Sequence, residues 1–434
     1  MTDSLAVIMD GAIAGIIVRQ QGGRLRFDYS DEYRSRANAT PLSLSMPTQV
    51  RSHPNHVVTA WLQGLLPDND LVLARWAREF HVSASSPFSL LATPIGEDCA
   101  GAVRFVPPEK IDRVLGRPGK VTWLADDDVA QRLRELREDS TAWHGRTFTG
   151  QFSLAGAQAK TALLFQEGRW GVPSGSTPTT HILKPAVSGL DNHDLNEHLC
   201  LDAARRAGIT VVRTKIARFG DERAVVIERY DRWAAGGQIV RIHQEDMCQA
   251  LGVPPSRKYQ NEGGPGPADI AGLLHRIMTP QMADNAAWRF ADALIWNWLI
   301  AGTDAHAKNY SVLLAGNQVR LAPLYDVASV LPYGIHEKKL RFAMKVGGDY
   351  RVFPYRNTWP AAARDLGLDA DALMNRVRGL TAAAPDAFAG AAKSPDFEGL
   401  SRELTGRLAD LIAERAARCM KLIEATGSSS TRWT

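Results

Sequence analysis

The stretch from Asp304 to Asp326, DAHAKNYSVLLAGNQVRLAPLYD, constrains the fold more than any other part of this chain. It holds two apolar runs, Tyr310–Leu314 and Val319–Tyr325, on either side of a Gly-Asn pair. That pattern predicts a β-hairpin. A hairpin reverses the chain, so a polar residue before its first strand can lie beside one after its second. The sequence therefore predicts that Asn309 and Asp326 face a common site.

The spacing of the polar residues in this stretch indicates phosphoryl transfer. In protein kinases an Asp accepts the proton of the substrate hydroxyl, an Asn five residues later holds Mg²⁺, and a further Asp binds metal. Asp304 and Asn309 are five residues apart. We expect Asp304 to be the catalytic base, and Asn309 and Asp326 to bind Mg²⁺ together with water and phosphate oxygens. His306 is a candidate nucleotide contact, and a structural histidine is its alternative.

A loop of small residues upstream is the candidate phosphate-binding segment. The sequence SLAGAQAK, which begins at Ser153, leads into an apolar strand predicted at Thr161–Phe165. Small residues let backbone N–H groups approach phosphate oxygens closely. The loop matches neither the Walker pattern nor the G-x-G-x-x-G pattern, and an ordinary turn is the alternative. The predicted nucleotide contacts are Ala155, Gly156, Ala157, Gln158 and Lys160.

Two further apolar segments supply candidate nucleotide contacts. The predicted strand His181–Lys184 ends in a lysine, as does the kinase strand whose lysine contacts the α- and β-phosphates of ATP. A solvated lysine at a strand end is the alternative. Ala224–Tyr230 is a buried-type strand, placed where a kinase has the hinge whose backbone binds adenine. The contacts predicted here are Lys184, Glu228, Arg229 and Tyr230.

These residues resemble a known family, the HipA toxin kinases of bacterial type II toxin–antitoxin modules. Matching motifs recur in family order from Ser153 to Ser329, and the resemblance extends into the first hundred residues. Ala159 departs from the pattern, because relatives can carry an acidic residue there. The matching motifs are SLAGAQAKTALL, PTTHILK, NEHLC, VIERYDR, QEDMCQALGVPPSRKY, GGPG, TDAHAKN and LYDVAS, with LLPD and IGEDCAGAV upstream.

The resemblance implies an α+β protein with a two-lobed protein-kinase-like fold. Its N-terminal lobe would be mixed α/β, including a β-rich subdomain, and its C-terminal lobe mainly α-helical. The resemblance also implies an ATP- and Mg²⁺-dependent serine/threonine kinase that phosphorylates a translation component, with an aminoacyl-tRNA synthetase such as glutamyl-tRNA synthetase as the leading substrate. Ser153 is implied as a site of inhibitory autophosphorylation.

A helix-turn-helix antitoxin is the partner that the resemblance implies, with operator DNA contacted mainly through that antitoxin. An alternative function stays open, in which the chain acts with the antitoxin as a co-repressor and catalysis is secondary. A small-molecule phosphotransferase is a third possibility. The expected segments are an N-terminal subdomain at 1–110, a connector at 111–147, a nucleotide-binding lobe at 148–235, a helical catalytic lobe at 236–425 and a disordered tail at 426–434.

Local patterns predict several individual elements. Asp10-Gly11 between two apolar runs predicts a hairpin. Helices are predicted on both sides of Pro67 within Val57–Phe80, and again at Val129–Glu138 and Asp194–Gly208. Beyond residue 235 we expect helices to dominate, apart from the hairpin between Asn309 and Asp326.

Composition adds limits on partners and location. The chain has 434 residues, 45% of them hydrophobic and 23% charged, which is typical of a soluble α/β protein. A net charge of +4 without a compact basic run or zinc-finger spacing argues against sequence-specific DNA reading by this chain itself. The four cysteines are scattered, and no basic leader or apolar membrane span is visible. A cytoplasmic protein without a membrane partner is the prediction.

Overall fold

The structure is a computed structural model that describes residues 3–112, 119–145, 152–186, 189–236, 238–335, 339–352, 358–400 and 402–427. The chain forms two compact units that alternate along the sequence. One comprises Met1–Val187, Ala217–Ser256 and Ser311–Val319, and the other comprises Ser188–Ile216, Arg257–Tyr310 and Arg320–Thr434. The five-segment division stays a prediction, and residues 428–434 of the expected tail lie outside the described residues.

A five-stranded antiparallel sheet in the first unit is built from the N-terminal residues. Its strands are β1 Ser4–Met9, β2 Ala12–Arg19, β3 Leu25–Tyr29, β4 Ser52–His53 and β5 Arg104–Val106. Their order is β4-β3-β2-β1-β5. The hairpin predicted between β1 and β2 is confirmed, and Asp10 and Gly11 have φ of 51° and 72°. Two consecutive positive φ values are typical of the tight turns that join antiparallel strands.

Helices cover the apolar side of this sheet. The predicted helices on either side of Pro67 are confirmed as Asn55–Leu65 and Asp70–Glu79. Trp61 on the first of them packs edge-to-face on Phe105, with ring centroids 6.1 Å apart. The helices of the first unit are Asp31–Arg34, Asn55–Leu65, Asp70–Glu79, Pro87–Leu91, Asp126–Glu138 and Met247–Ala250.

A six-stranded sheet carries the segments predicted to bind nucleotide. Its strands are β6 Lys120–Leu124, β7 Thr161–Gln166, β8 Arg169–Ser174, β9 His181–Pro185, β10 Thr214–Phe219 and β11 Glu222–Glu228. Their order is β10-β11-β9-β7-β8-β6. The helix Asp126–Glu138 packs on this sheet, because Val129 and Leu133 share a buried cluster with Leu163 and Val226. The predicted strands at 161–165, 181–184 and 224–230 are all present, and the last ends at Glu228.

Two smaller groups of strands follow. Strands β12 Arg232–Ala235 and β13 Gln238–Arg241 pair with each other, and β14 His243–Asp246, β15 Ser311–Ala315 and β16 Gln318–Leu321 form a three-stranded sheet. The hairpin predicted between Asn309 and Asp326 is confirmed as β15 and β16. Its second strand ends at Leu321, four residues before Tyr325, because Pro323 has no N–H to give to a strand ladder.

The second unit is mainly helical. In the helix Pro280–Ile300, the C-terminal half is almost entirely buried. The expectation that the region beyond residue 235 holds one hairpin among helices is incomplete. Strands β13 and β14 also lie there, and Arg341–Val346 (β17) and Asp349–Arg351 (β18) form a second hairpin. The helices of this unit are His193–Arg206, Pro267–Ile277, Pro280–Ile300, Thr358–Leu366, Ala370–Ala391 and Glu403–Gly427.

Among the helices of the described ranges, none is both long enough and apolar enough to cross a bilayer.

One buried carboxyl group of the first unit has no cationic hydrogen-bond partner among the residues that the structure describes. Glu245 on β14 is fully buried. Its Oε2 accepts a hydrogen bond from the Ser43 hydroxyl at 2.6 Å, and its Oε1 accepts one from the Leu44 N–H at 2.7 Å. Burial raises the pKa of Glu245 from 4.5 to about 8, against the opposing effect of these two donors, and the neighbouring Asp246 adds to the rise.

We predict that Glu245 makes the stability of the protein depend on pH. Its pKa is higher in the folded state than in the unfolded state, so its stabilising contribution is complete below about pH 4.5 and is lost as pH rises through about 8. Glu245→Gln keeps the shape and cannot ionise. The melting temperature of this variant should therefore fall less than that of the wild type between about pH 6 and about pH 9. An equal fall in both proteins would contradict the prediction.

Candidate functional site

The end of the helix Pro280–Ile300 fixes the direction in which the chain enters the candidate site. Ala301 adopts the left-handed conformation with φ 54°. The N–H of Gly302 donates to the carbonyl of Asn297 at 2.7 Å. A Cβ on Gly302 would lie 2.4 Å from the Asn297 side-chain oxygen, so only glycine fits without movement. The helix therefore delivers Asp304 from a rigid position, and Asp304 itself is exposed.

Asp304 and Asn309 belong to one closed turn. The side-chain Nδ2 of Asn309 donates to the backbone carbonyl of Asp304 at 2.9 Å, and its N–H donates to the carbonyl of His306 at 2.9 Å. Because the amide nitrogen is engaged, the oxygen Oδ1 is the end of the Asn309 side chain that can bind a cation. The five-residue spacing thus gives the Asn309 side chain a defined orientation against the backbone of Asp304.

Asp326 is held at the other end of the hairpin in an unusual backbone conformation. Its φ is 56°, which a residue other than glycine adopts at a cost of about 1–3 kcal/mol. The residues before it are fixed on two sides. Leu324 exchanges backbone hydrogen bonds with Thr210 and Val212, and the Tyr325 hydroxyl donates to the carbonyl of Lys308 at 2.7 Å. The exposed Asp326 carboxylate is therefore presented from a well-anchored segment.

The charges of Asp304 and Asp326 both affect the pKa of His306. Burial lowers the pKa of His306, and Asp304 and Asp326 oppose that shift. Its ring is only 5% exposed, and within the described part of the chain its Nδ1 has no hydrogen-bond partner. Asp304 and Asp326 therefore both favour the protonated form of this imidazole. A buried nitrogen without a partner is a position where a bound ligand can supply the missing hydrogen bond.

The chemistry of these side chains fits Mg²⁺ held together with phosphate. Among the described residues, no group of three or more His, Cys, Asp or Glu side chains is arranged to hold a metal ion. A cation at Asn309 and Asp326 would therefore complete its coordination with water and phosphate oxygens. Mg²⁺ is usually held in this way in phosphotransferases, by one or two protein oxygens beside the substrate phosphates.

The small-residue loop of the first unit is closed by its own lysine. Lys160 Nζ donates to the carbonyl of Ala155 at 2.6 Å and lies 5.0 Å from the centre of the Trp143 ring. Gly156 has φ 101°, and a Cβ there would lie 2.6 Å from Lys160 Nζ. The backbone conformation favours glycine here, and its missing side chain leaves room for the lysine.

The segment from Leu65 to Asp68 holds this loop at two points. The hydroxyl of Ser153 donates to the carbonyl of Leu65 at 2.8 Å, and the N–H of Asp68 donates to the carbonyl of Gly156 at 3.0 Å. Ser153 is completely buried. Ala157 is exposed, and the buried Nε2 of Gln158 has no hydrogen-bond partner within the described ranges. An open donor suits a loop that receives an anion.

The remaining predicted nucleotide contacts have very different surroundings. Lys184 is buried on β9 opposite Val225 of β11, whereas Glu228 is exposed at the end of β11. The hydroxyl of Tyr230 donates to the side chain of Gln244 at 2.6 Å. Arg229 is only 3% exposed, and its N–H donates to the carbonyl of Thr180 at 2.9 Å. The structure gives Arg229 a structural role, and its contact with a nucleotide stays a prediction.

Arg229 belongs to a buried network of arginines and carboxylates. Its guanidinium donates to Asp231 at 2.8 Å, while Arg232 donates to Asp98 at 3.0 Å. Arg241 also reaches Asp98, at 3.2 Å. Burial works against the charge on Arg229, but Asp231 and Asp98 outweigh it and raise the pKa of Arg229. Sequence reasoning missed this network, although Asp98 lies within the motif IGEDCAGAV, and Arg229, Asp231 and Arg232 lie within VIERYDR.

We predict opposite outcomes for substitutions at two adjacent positions. Arg229→Leu removes one of the guanidinium groups that pair with the buried Asp98 and Asp231. Breaking a buried ion pair by removing one partner costs about 3–5 kcal/mol. Glu228→Gln, at an exposed position, should change the stability by less than about 0.5 kcal/mol. Denaturant unfolding of both variants measures the difference. Equal stabilities would show that the network contributes little.

Comparisons with known proteins cover nearly the whole chain. Residues 152–388 match the family model of the HipA-like C-terminal domain, and residues 5–106 match that of the HipA N-terminal domain. Protein Y4mE of Sinorhizobium fredii, which carries a provisional kinase designation, is 31% identical over 415 residues, covering 95% of this chain and 97% of the relative. The serine/threonine-protein kinase toxin HipA of Shewanella oneidensis is 30% identical over 363 residues, covering 80% of each.

A solved structure agrees with the fold. The toxin–antitoxin complex of Shewanella oneidensis, which contains HipA, HipB and operator DNA, includes a chain that superposes with a TM-score of 0.79 at 24% identity. The superposition covers 97% of this chain and 97% of that one. The likeness therefore extends over both compact units and is a likeness of fold.

Proposed function

This chain belongs to the HipA family, and on that premise we propose that it is an ATP- and Mg²⁺-dependent serine/threonine protein kinase. The observation that carries the proposal is the arrangement of Asp304, His306, Asn309 and Asp326 in the second unit. An exposed carboxylate, an oriented amide oxygen and a second anchored carboxylate act around one buried imidazole. These are the side chains that phosphoryl transfer to a hydroxyl requires.

Each unit supplies separate functional groups. In the second unit, Asp304 accepts a hydrogen bond from the substrate Ser or Thr hydroxyl and takes its proton. Asn309 Oδ1 and the Asp326 carboxylate hold the metal. Mg²⁺, when bound, neutralises the negative charge of the phosphates. In the first unit, Lys184 and the backbone of the loop from Ala155 to Lys160 bind phosphate oxygens, and Glu228 to Tyr230 line the adenine side. The protein contributes mainly position and charge.

We extend the proposal to the biological role. The protein would act as the toxin of a toxin–antitoxin module in the cytoplasm and arrest growth by phosphorylating a translation component. An aminoacyl-tRNA synthetase, with glutamyl-tRNA synthetase as the first to test, is the proposed substrate. A helix-turn-helix antitoxin is the proposed partner and would carry the contact with operator DNA. The Shewanella oneidensis toxin kinase and its complex with HipB and operator DNA support the kinase and the partner.

A co-repressor without essential catalysis is the second candidate. The likeness to a chain that was solved together with antitoxin and DNA favours it as an additional role. The presence of the full set of Lys184, Asp304, Asn309 and Asp326 favours catalysis. A protein kept only as a binding module would not need both carboxylates in anchored, exposed positions.

We predict that Asp304→Asn abolishes transfer and leaves the fold intact. Loss of a positioned base typically lowers the rate by about 10²–10⁴-fold. The side chain is exposed, so the melting temperature should stay close to that of the wild type. The measurement is transfer of ³²P from labelled ATP to protein in a cell extract, followed by identification of the labelled protein. A rate within about twofold of the wild type would rule out Asp304 as the base.

Asp326→Ala serves as the contrasting variant. Because its proposed role is to hold the metal, this change should weaken the binding of Mg²⁺–ATP, whereas Asp304→Asn should leave that binding close to wild type. Calorimetric titration with Mg²⁺–ATP separates the two effects. Unchanged binding in Asp326→Ala would exclude a metal-binding role for this residue.

We also predict that Ser153 is autophosphorylated and that the modification switches the kinase off. In the unmodified protein Ser153 is completely buried, with its hydroxyl bonded to Leu65 and its N–H bonded to Asp98. A phosphate adds about −1.5 to −2 charges, which cannot remain in that position. The modified loop should leave the Leu65–Asp68 segment and lose the conformation that binds ATP.

Intact-mass measurement after incubation with Mg²⁺–ATP tests the modification. The added phosphate should map to Ser153 and be absent from Asp304→Asn. Calorimetry then compares the ATP affinity of the phosphorylated and unmodified forms. If the two forms bind ATP equally well, the off-switch is wrong even where the site is confirmed.

A further inference from the structure

A tyrosine distant in sequence lies against the proposed base. The hydroxyl of Tyr259 donates a hydrogen bond to Asp304 Oδ1 at 2.7 Å. The Tyr259 ring meets the ring of His306 edge-to-face, with centroids 5.1 Å apart. The neighbouring residue adds a backbone contact, because the carbonyl of Lys258 accepts from the N–H of Ala307 at 3.3 Å. Three contacts thus connect residues 258–259 to the catalytic turn.

The glycine-rich segment after Tyr259 holds it in place. The N–H of Gly264 donates to the carbonyl of Tyr259 at 3.0 Å. A Cβ on Gly264 would lie 2.0 Å from the carbonyl oxygen of Arg257 and 2.8 Å from that of Tyr259. Gly263 has φ 86°, which favours glycine. The GGPG motif therefore allows a backbone approach that no other residue permits, and the residue it supports is Tyr259.

The next residue fixes the same segment from the other side. The side-chain oxygen of Gln260 accepts from the N–H of Lys345 on β17 at 2.6 Å. A Cβ on Gly266 would lie 2.3 Å from the Gln260 amide nitrogen. The backbone of Tyr259 therefore belongs to a turn that is anchored before, within and after it.

We propose that Tyr259 is a positioning residue for the catalytic carboxylate, an inference that rests on the proposed role of Asp304 as base. The terminal torsion of an Asp side chain is soft, so an exposed carboxylate samples many orientations. The Tyr259 hydroxyl occupies Oδ1 and limits this rotation. Oδ2 is then the oxygen that meets the substrate hydroxyl in a reactive alignment, and such alignment contributes strongly to the rate.

The first experiment removes one oxygen atom. Tyr259→Phe should lower the apparent kcat for ³²P transfer to the protein of a cell extract by about tenfold or more, because misalignment of a reacting group can cost about 10². The KM for ATP should stay within about twofold, since no ATP contact is lost. Tyr350→Phe, on β18 in the same unit, is the matched control and should behave as wild type.

Two controls distinguish a loss of catalytic alignment from a loss of folded protein. Rates are divided by the concentration of ATP-binding sites measured by calorimetry, so an unfolded fraction does not count. Gly264→Ala, which displaces the carbonyl of Tyr259, should reproduce the fall in kcat with an unchanged KM. Gly379→Ala is its control, because a Cβ at this helical position meets nothing within 4 Å.

The second experiment is a double-mutant comparison. If Tyr259 acts through the carboxylate, Tyr259→Phe should have no further effect on the residual rate of Asp304→Ala, because the acceptor is already gone. A further fall of about tenfold in that background would show that Tyr259 acts elsewhere and would overturn the proposal.

The outcomes separate this inference from the proposed function. If the wild type transfers phosphate and Tyr259→Phe equals it, the positioning role is wrong while the kinase assignment stands. A faster Tyr259→Phe would mean that the tyrosine hydroxyl competes with the substrate for Asp304, and this also overturns the proposal. Failure of the wild type to transfer phosphate refutes the kinase function and the inference together.

Discussion

The buried arginine–carboxylate network is the interaction on which the first unit depends. Asp98 and Asp231 are surrounded by Arg229, Arg232 and Arg241, and they connect segments about 130 residues apart in the sequence. Charges this deep are tolerated only when they are paired and hydrogen-bonded. Carbonyl oxygens of Cys99 and Gly101 accept the remaining guanidinium protons. The network therefore fixes where the N-terminal sheet meets the strands that carry the predicted nucleotide contacts.

In the second unit, backbone geometry fixes the chain around the candidate site. In the first unit, buried ion pairs fix the chain. The left-handed Ala301, the crowded Gly302 and the positive φ of Asp326 fix three points of the chain around the candidate site. Conformations of this kind persist only where the surroundings enforce them. Asp304 and Asp326 are exposed, whereas His306 and Asn309 are buried. The main chain therefore fixes where the two carboxylates lie, and Tyr259 adds a contact to Asp304.

Secondary-structure elements that depend on patterns among neighbouring residues could be predicted from the sequence. The hairpins at Asp10-Gly11 and after Asn309, the helices around Pro67 and the three strands of the nucleotide segment all follow from alternation, apolar spacing and turn residues. The hairpin of β17 and β18 had such a signal too, in the mainly apolar run FAMKV followed by Gly-Gly. The end of β16 could have been placed correctly from Pro323.

Features that depend on distant contacts left no such signal. Arg229 follows a strand and has the pattern of a hinge residue, yet its burial depends on Asp98. Ser153 is typical of a loop serine, and only the position of Leu65 makes it a core residue. Tyr259 stands 45 residues before Asp304, and no spacing rule relates the two. For the same reason the nucleotide contacts, the metal ligands and the substrate stay proposals.

The two hydrogen bonds between the small-residue loop and the Leu65–Asp68 segment have a thermodynamic consequence. A ligand that binds the loop in this conformation also favours the folded arrangement of the N-terminal residues that hold the loop. By linkage, the folded arrangement of those N-terminal residues raises the affinity of the loop for that ligand. Damage to the N-terminal sheet should then reduce the affinity for nucleotide without touching a nucleotide contact. If the loop binds nucleotide as we propose, the N-terminal residues are part of the binding equilibrium, and nucleotide affinity reports on their integrity.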